Sequence, residues 1–284
     1  MTRHLLLLLC STMILGGIVS AEDPLLRPGD RVALLGGTWV ERAQIDGSIE
    51  AEWQARRPDW KLSVRNLGWS GDDVHGLARK RFDSPEDGFQ RLLQDIETAD
   101  PTVVLVAYGF SEASNGRESV ERFESGLRRL VKAIQGQQRR IVLMTPFAMP
   151  GYRVKEYNRW MRQCRQIVAG VAGELDVELL SIDWMPTDEE LTKDRLLPNA
   201  AGFAALANPI AERMVGGKDA TPNDALKQLI VSKNQLFFHR YRPQNETYLF
   251  LFRKHEQGNN AVEIPQFDPL IRQSDERIWV AAGS

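Results

Sequence analysis

Short apolar runs alternate along the chain with segments whose apolar residues have helical spacing. The most apolar of these runs covers residues 103–108 and has the composition of a strand buried on both faces of a parallel sheet. Alternation of strands and helices predicts an α/β fold, a three-layer α/β/α sandwich around a mainly parallel five-stranded sheet. The five predicted strands are Arg31–Gly36, Lys61–Leu67, Val103–Tyr108, Ile141–Met144 and Val177–Ile182.

Helical spacing predicts helices at Trp39–Arg56, Glu118–Gln135, Val154–Ala172 and Ala200–Val215. The pattern breaks at residues 216–217, and residues 221–224 have the composition of a cap that opens another helix, to about Asn234. The rest of the chain mixes aromatic with polar residues and includes a strand-like aromatic run, Tyr248–Phe252. We therefore divide the chain into residues 1–21, 22–216 and 217–284, the last being a C-terminal extension that contains the predicted helix and the aromatic and polar segment.

The first 21 residues have the pattern of a secretory signal peptide. A short basic start at Arg3 precedes an apolar run, Leu5–Val19, and small residues then come before Glu22. An uncleaved membrane anchor is the alternative, although the run is short for a membrane span. We expect a secreted or periplasmic protein that has no membrane contact after cleavage of the signal.

Charge and cysteine content exclude several classes of partner. The chain has 36 Lys and Arg against 38 Asp and Glu, with no concentrated basic face, so we expect no nucleic-acid partner. Cleavage of the leader would leave Cys164 alone, which excludes an intrachain disulfide. Neither a metal-type spacing of Cys and His nor a glycine-rich nucleotide motif occurs, so we expect no metal and no other cofactor.

Four distant segments each pass from apolar residues into a small polar turn. They end at Thr38, Asp72, Glu112 and Gly202, with the sequences VALLGGT, VRNLGWSGD, VVLVAYGFSE and LTKDRLLPNAAG. Strand ends of a parallel sheet meet in one crevice, where ligands bind. The order and spacing of the segments resemble the four signature blocks of the SGNH, or GDSL-type, esterase and lipase family over about residues 27–216. This resemblance implies the family's flavodoxin-like sandwich and an ancestral activity on carboxylesters or O-acyl groups.

The resemblance also assigns a role to individual positions. Thr38 takes the place of the nucleophilic serine, Gly71 that of the oxyanion glycine, and Ser111 that of the oxyanion asparagine. The family's Asp-x-x-His pair corresponds to Asp194 and Leu197. The catalytic blocks are therefore degenerate, because the serine, the asparagine and the histidine are all replaced.

Each of these positions also has a purely structural interpretation. Thr38 could cap the helix that follows it, and Gly71 could be an ordinary turn glycine. Ser111 and Glu112 could serve the N-terminus of a helix, and Asp194 could be a solvated turn residue.

Leucine at position 197 neither accepts a proton nor orients a hydroxyl. A substitute base would have to come from elsewhere, and His239 and His255 in the C-terminal extension are the candidates. The extension could instead be a packed segment without a catalytic role. His75 follows the second block, and a structural role fits a lone histidine there.

These observations lead to three functional hypotheses. The first is a secreted protein of esterase ancestry, with impaired or lost catalysis, that binds an acylated or carbohydrate ligand. The second is an active ester hydrolase in which Thr38 works with a histidine from the extension. The third is a non-catalytic accessory module that docks a protein partner.

Overall fold

The computed structural model describes residues 23–147, 154–183, 189–193 and 195–284. Five parallel strands form one sheet in the order β2-β1-β3-β4-β5. These strands are β1 Arg31–Gly36, β2 Ser63–Asn66, β3 Val103–Ala107, β4 Arg140–Met144 and β5 Glu178–Leu180. The predicted five-stranded parallel α/β fold is thereby confirmed. Because β1 pairs with both β2 and β3, the chain reverses its direction of winding at β1, and a crevice opens at the carboxyl ends of β1 and β3.

Helices flank the sheet and form the C-terminal extension. Their bounds are α1 Thr38–Asp46, α2 Ser48–Arg56, α3 Pro85–Ala99, α4 Phe110–Asn115, α5 Arg117–Gln135, α6 Val154–Glu174, α7 Ala200–Met214, α8 Asp224–Tyr241, α9 Glu246–Leu249, α10 Lys254–Gln257 and α11 Phe267–Ala282. A short antiparallel pair, β6 Thr192–Lys193 and β7 Leu197–Pro198, precedes α7. In the described ranges, no helix combines the length and the apolar composition that a membrane crossing requires.

Two local features of the first half differ from the sequence prediction. The predicted helix Trp39–Arg56 is divided at Gly47, whose φ of 78° is a left-handed conformation that glycine adopts readily. The amide of Ser48 then donates to the Asp46 carboxylate at 2.9 Å, which starts the second helix. Helix α3 was not among the predicted helices, and it begins at a capping box in which Ser84 and Asp87 exchange hydrogen bonds.

The strand-like assignment of Tyr248–Phe252 is wrong. Helix α9 ends at Leu249, and the amide of Phe250 donates to the carbonyl of Glu246 at 2.9 Å, so local bonds satisfy this backbone. Helix α8 continues to Tyr241, beyond the predicted end at about residue 234. The aromatic run is only partly buried, because Leu249 is enclosed while Phe252 is 71% exposed.

The extension covers the open edge of the sheet at β2. The ammonium of Lys233 in α8 donates to the carbonyl of Val64 at 2.7 Å and pairs with Glu50, with both side chains buried. The indole of Trp279 in α11 donates to the carbonyl of Leu62 at 2.8 Å. Unpaired carbonyls at a sheet edge invite association with other strands, and these side chains occupy them. The extension thus packs against the α/β unit beside the strand that leads into the second block.

Candidate functional site

Thr38 is the first residue of α1, where the chain leaves the carboxyl end of β1. Gly37 occupies the cap position, and no side chain caps the helix there, so the interpretation of Thr38 as a helix cap is wrong. The Thr38 hydroxyl oxygen instead accepts a hydrogen bond from the backbone amide of Gly71, with nitrogen and oxygen 3.1 Å apart. The structure therefore brings together the two positions that correspond to the nucleophile and the oxyanion glycine.

The loop that carries Gly71 is fixed by the same helix. Glu41, one turn after Thr38, accepts hydrogen bonds from both the amide and the hydroxyl of Ser70 at 2.8 Å. Gly71 itself has a φ of 77°, which favours glycine. The amide that the resemblance assigns to an oxyanion is thus already directed at the Thr38 hydroxyl.

Ser111 lies directly beside Gly37 at the start of α4. A Cβ atom added to Gly37 would be 2.8 Å from the Ser111 hydroxyl oxygen and 3.1 Å from the carbonyl oxygen of Asp72. A larger residue at position 37 would therefore require the Ser111 hydroxyl to move. The glycine at position 37 and the serine at position 111 fit one another, and the half-buried serine contributes a shorter side chain to the cleft than the family's asparagine would.

Leu197 begins β7 and faces the same cleft. Thr38, Gly71, Ser111 and Leu197 line one cavity of about 280 Å³, together with Phe110. The carboxyl ends of β1, β2 and β3 and the segment before α7 therefore converge, as the order of the four blocks predicts. Asp194 lies outside the described residues.

The cleft continues into a second cavity of about 400 Å³. The two cavities share Ser114, Asn115, Tyr157 and Leu196. Trp160 and Glu156, from α6, extend the wall of the second cavity. Aromatic rings beside small polar side chains make this combined groove suitable for a ligand that has both apolar faces and hydroxyl or ester oxygens.

Neither His239 nor His255 lines the Thr38 cleft. His239 in α8 lines a different cleft, with Glu41 and Gln44, and its ring lies against Phe238. The side chain of His255 is 74% exposed and lies beside Glu256. Among the described residues no histidine hydrogen-bonds to the Thr38 hydroxyl, and no group of three or more His, Cys, Asp or Glu side chains could hold a metal ion.

The surroundings of His75 fit a structural role. A Cβ atom added to Gly126 of α5 would be 2.6 Å from Cε1 of the His75 ring, so the ring packs directly on that helix. Its Nε2 atom is buried and has no hydrogen-bond partner in the described part of the chain. The ring does not line the Thr38 cleft.

Glu112 is a buried carboxyl that joins the second and third blocks. It accepts hydrogen bonds from the amides of Gly109 at 2.8 Å and Val74 at 3.1 Å. Burial raises the pKa of Glu112 to about 7, although these two hydrogen bonds act in the opposite direction. The sequence suggested a role at a helix N-terminus, and the bond to Gly109 at the start of α4 agrees with that role.

A buried ion pair beneath the cleft was not predicted. Arg79 donates from Nε to the Asp72 carboxylate at 2.7 Å and from Nη2 to the carbonyl of Leu67 at 2.8 Å. Tyr108, at the end of β3, donates its hydroxyl to the same carboxylate at 2.9 Å, and burial together with the Asp72 charge raises the pKa of Tyr108 well above its usual value. A pair of charges seven residues apart, in a segment without apolar periodicity, gives no local sign of such burial.

The fold and the site define a doubly wound α/β protein whose cleft lies at the topological switch point, the architecture of the SGNH hydrolases. A model of the GDSL-like lipase/acylhydrolase family matches residues 36–205, which is more than half of the chain, and the chain belongs to this family. The matched range includes Thr38, Gly71, Ser111 and Leu197 and ends before α8. Among curated proteins, none matches the sequence.

Solved structures with the same fold include an acetylxylan esterase and other enzymes. Axe2, an acetylxylan esterase from Geobacillus stearothermophilus, has 20% identity and a TM-score of 0.55, covering 67% of this chain and 96% of Axe2. LAE5, an alpha/beta hydrolase enzyme from the metagenome of Lake Arreo, Spain, has 20% identity and a TM-score of 0.53, covering 68% of this chain and 99% of LAE5. BT4096, a gut microbial diltiazem-metabolizing enzyme, has 19% identity and a TM-score of 0.52, covering 67% of this chain and 48% of BT4096. At these identities the likeness concerns the fold.

The raised pKa of Glu112 predicts a pH-dependent stability. The carboxyl binds its proton more tightly in the folded state than in the unfolded state. Its contribution to the free energy of unfolding is therefore fully present below the pKa of the unfolded chain and is lost as the pH rises through about 7. Relative to Glu112→Gln, the free energy of unfolding of the unmodified protein should fall by on the order of 1 to 3 kcal/mol between about pH 5 and about pH 8. Urea denaturation across this range measures the difference. The control, Glu118→Gln at an exposed site on α5, should show no such divergence, and parallel curves for Glu112→Gln would contradict the assignment.

Proposed function

We propose that this protein binds an acylated or carbohydrate ligand in the Thr38 cleft and has little or no esterase activity. The observation that carries the proposal is that Leu197 lines the cleft with Thr38, at the position where the family has its catalytic histidine. A threonine hydroxyl is a weak nucleophile unless a base takes its proton, and an aliphatic side chain cannot do so. The hydroxyl therefore remains unactivated.

The oxyanion position supports the same proposal. The amide of Gly71 donates to the Thr38 hydroxyl, and Ser111 has a shorter reach than asparagine. Removal of one oxyanion donor typically lowers the rate by about 100-fold or more. Changes at the base and at the oxyanion position both act against turnover, while the cavity itself still has room for a ligand.

The groove and the structural neighbours suggest the ligand class. Tyr157 and Trp160 provide ring surfaces, and Ser114 and Asn115 provide hydrogen-bonding groups in between. One neighbour, Axe2, is named as an acetylxylan esterase, and its fold covers the α/β part of this chain. We therefore choose acetylated xylo-oligosaccharides as the first probe, since they combine sugar rings with ester groups.

Export is part of the proposal and rests on the leader-like residues 1–21. When the full chain is expressed in a bacterial host, the exported protein should have the intact mass of a chain that begins at Glu22. Mass spectrometry of the periplasmic fraction measures this. Recovery of the uncleaved chain in the membrane fraction would indicate an anchor instead.

Turnover of p-nitrophenyl acetate tests the catalytic part of the proposal. We expect the mature protein, Thr38→Ala and the exposed-site control Thr221→Ala to release p-nitrophenol at the same rate. This rate should not exceed the background rate that a protein without an esterase site gives. The physical reason is the missing base at position 197. A rate that falls only in Thr38→Ala would instead favour an active ester hydrolase.

Binding to the groove is tested by Asn115→Ala, since Asn115 lines both cavities and is exposed. Loss of one hydrogen bond to a ligand should weaken the affinity for acetylated xylo-oligosaccharides by about 2-fold to 10-fold. Isothermal titration calorimetry measures the change. Asn259→Ala, also exposed but outside the groove, is the matched control and should bind like the unmodified protein. Equal affinities for the two variants would place the ligand elsewhere.

A further inference from the structure

A separate cavity of about 320 Å³ lies between the α/β unit and the C-terminal extension. Trp69 and Arg91 belong to its α/β wall, and Tyr241 and Phe250 belong to the wall formed by the extension. It shares no lining residue with the Thr38 cleft, so it is a distinct place in the molecule. Its volume is that of a small-molecule site.

Charged side chains form much of the wall of this cavity. Four arginines and two acidic residues line it, and these are Arg79, Arg81, Arg91, Arg240, Asp95 and Glu246. Burial raises the pKa of Asp95 to about 6, so this carboxyl stays mostly ionised at neutral pH and balances the charge of Arg79. Burial and the nearby charge of Arg91 lower the pKa of Arg81 to about 10.

Each of the four guanidinium groups already pairs with a carboxylate. Arg79 pairs with Asp72 and Asp95, Arg91 pairs with Asp83, and Arg240 donates from Nε to Asp268 at 2.8 Å. The two terminal nitrogens of Arg240 have no hydrogen-bond partner among the described residues. Arg81 pairs with Glu246, which itself lines the cavity. Asp268 thus positions Arg240 and leaves its terminal nitrogens able to donate to a ligand. The carboxylate of a ligand could displace Glu246 from Arg81.

Flat apolar surfaces accompany the charges. The guanidinium carbons of Arg79 and Arg242 lie 5.1 Å and 3.6 Å from the centroid of the Trp69 ring, and these contacts help to hold the indole in place. Tyr241 is held by its hydroxyl, which donates to the carbonyl of Gly68 at 3.0 Å. Rings with locked positions bind other rings at little cost in conformational entropy.

We propose that this cavity binds a small ring-bearing carboxylate such as an acidic sugar, with its carboxylate on Arg81 and Arg240 and its ring against Trp69 and Tyr241. Guanidinium groups bind carboxylates through paired, charge-assisted hydrogen bonds. Glu246 already pairs with a terminal nitrogen of Arg81 and therefore competes with the ligand. This site is additional to the Thr38 cleft and does not depend on the function proposed for that cleft.

Calorimetric titration of the mature protein with D-glucuronate, and with D-glucose as the neutral counterpart, tests the proposal. We expect binding of glucuronate alone. Arg240→Gln should weaken it by about tenfold or more, because a charged hydrogen-bond partner is lost. Glu246→Gln should tighten it several-fold, because Arg81 is released from its internal carboxylate. Arg117→Gln, at an arginine whose side chain is 77% exposed on α5, should bind glucuronate like the unmodified protein.

The direction of the Glu246→Gln effect separates a binding role from a structural one. If this ion pair only held α9 in place, the substitution would leave binding unchanged or weaken it, and either result would overturn the proposal. Equal binding of glucose and glucuronate, or no binding of either, would also overturn it. If Arg240→Gln does not fold, as judged by its thermal melt, Glu246→Gln alone is sufficient for the test. Added acetylated xylo-oligosaccharide should not compete, which keeps this result independent of the Thr38 cleft.

Discussion

The buried ion pair between Arg79 and Asp72 is the interaction on which the cleft depends. Both side chains are fully enclosed, and removal of one partner from such a pair typically costs several kcal/mol, about 3 to 5, because a buried charge is left uncompensated. The pair ties the end of β2, through the carbonyl of Leu67, to the end of β3, through Tyr108. The intervening residues, Trp69 to Gly71, are therefore held over the crevice. The buried ion pair fixes the position of these residues, and no catalytic group is needed to hold them there.

Backbone contacts of the same kind hold the other loops of the cleft. Glu112 and Glu41 anchor backbone amides of the loops, and glycine at position 37 leaves room for Ser111. None of these contacts needs a serine at position 38 or a histidine at position 197. The contacts that shape the cleft are thus separate from the positions that the resemblance assigns to proton transfer.

The sequence was sufficient for the sheet and for the convergence of Thr38, Gly71, Ser111 and Leu197, because strand composition and the strand-end rule are local signals. The sequence did not predict contacts between residues that are far apart along the chain. The ion pair of Arg79 with Asp72 has no periodicity that marks it in the sequence. The same is true of the contact between Lys233 and Val64, which are 169 positions apart. The aromatic run near Tyr248 was assigned as a strand on composition, whereas local helical hydrogen bonds determine its conformation.

Binding of an ester-bearing ligand without its cleavage is the property that we propose for the cleft. A proton NMR time course of acetylated xylo-oligosaccharide mixed with the mature protein measures both parts at once. We expect broadened ligand resonances from the start and no growth of a free acetate signal above that of the ligand in buffer. Steady release of acetate beyond the amount of protein present, at a rate that depends on Thr38, would contradict this expectation.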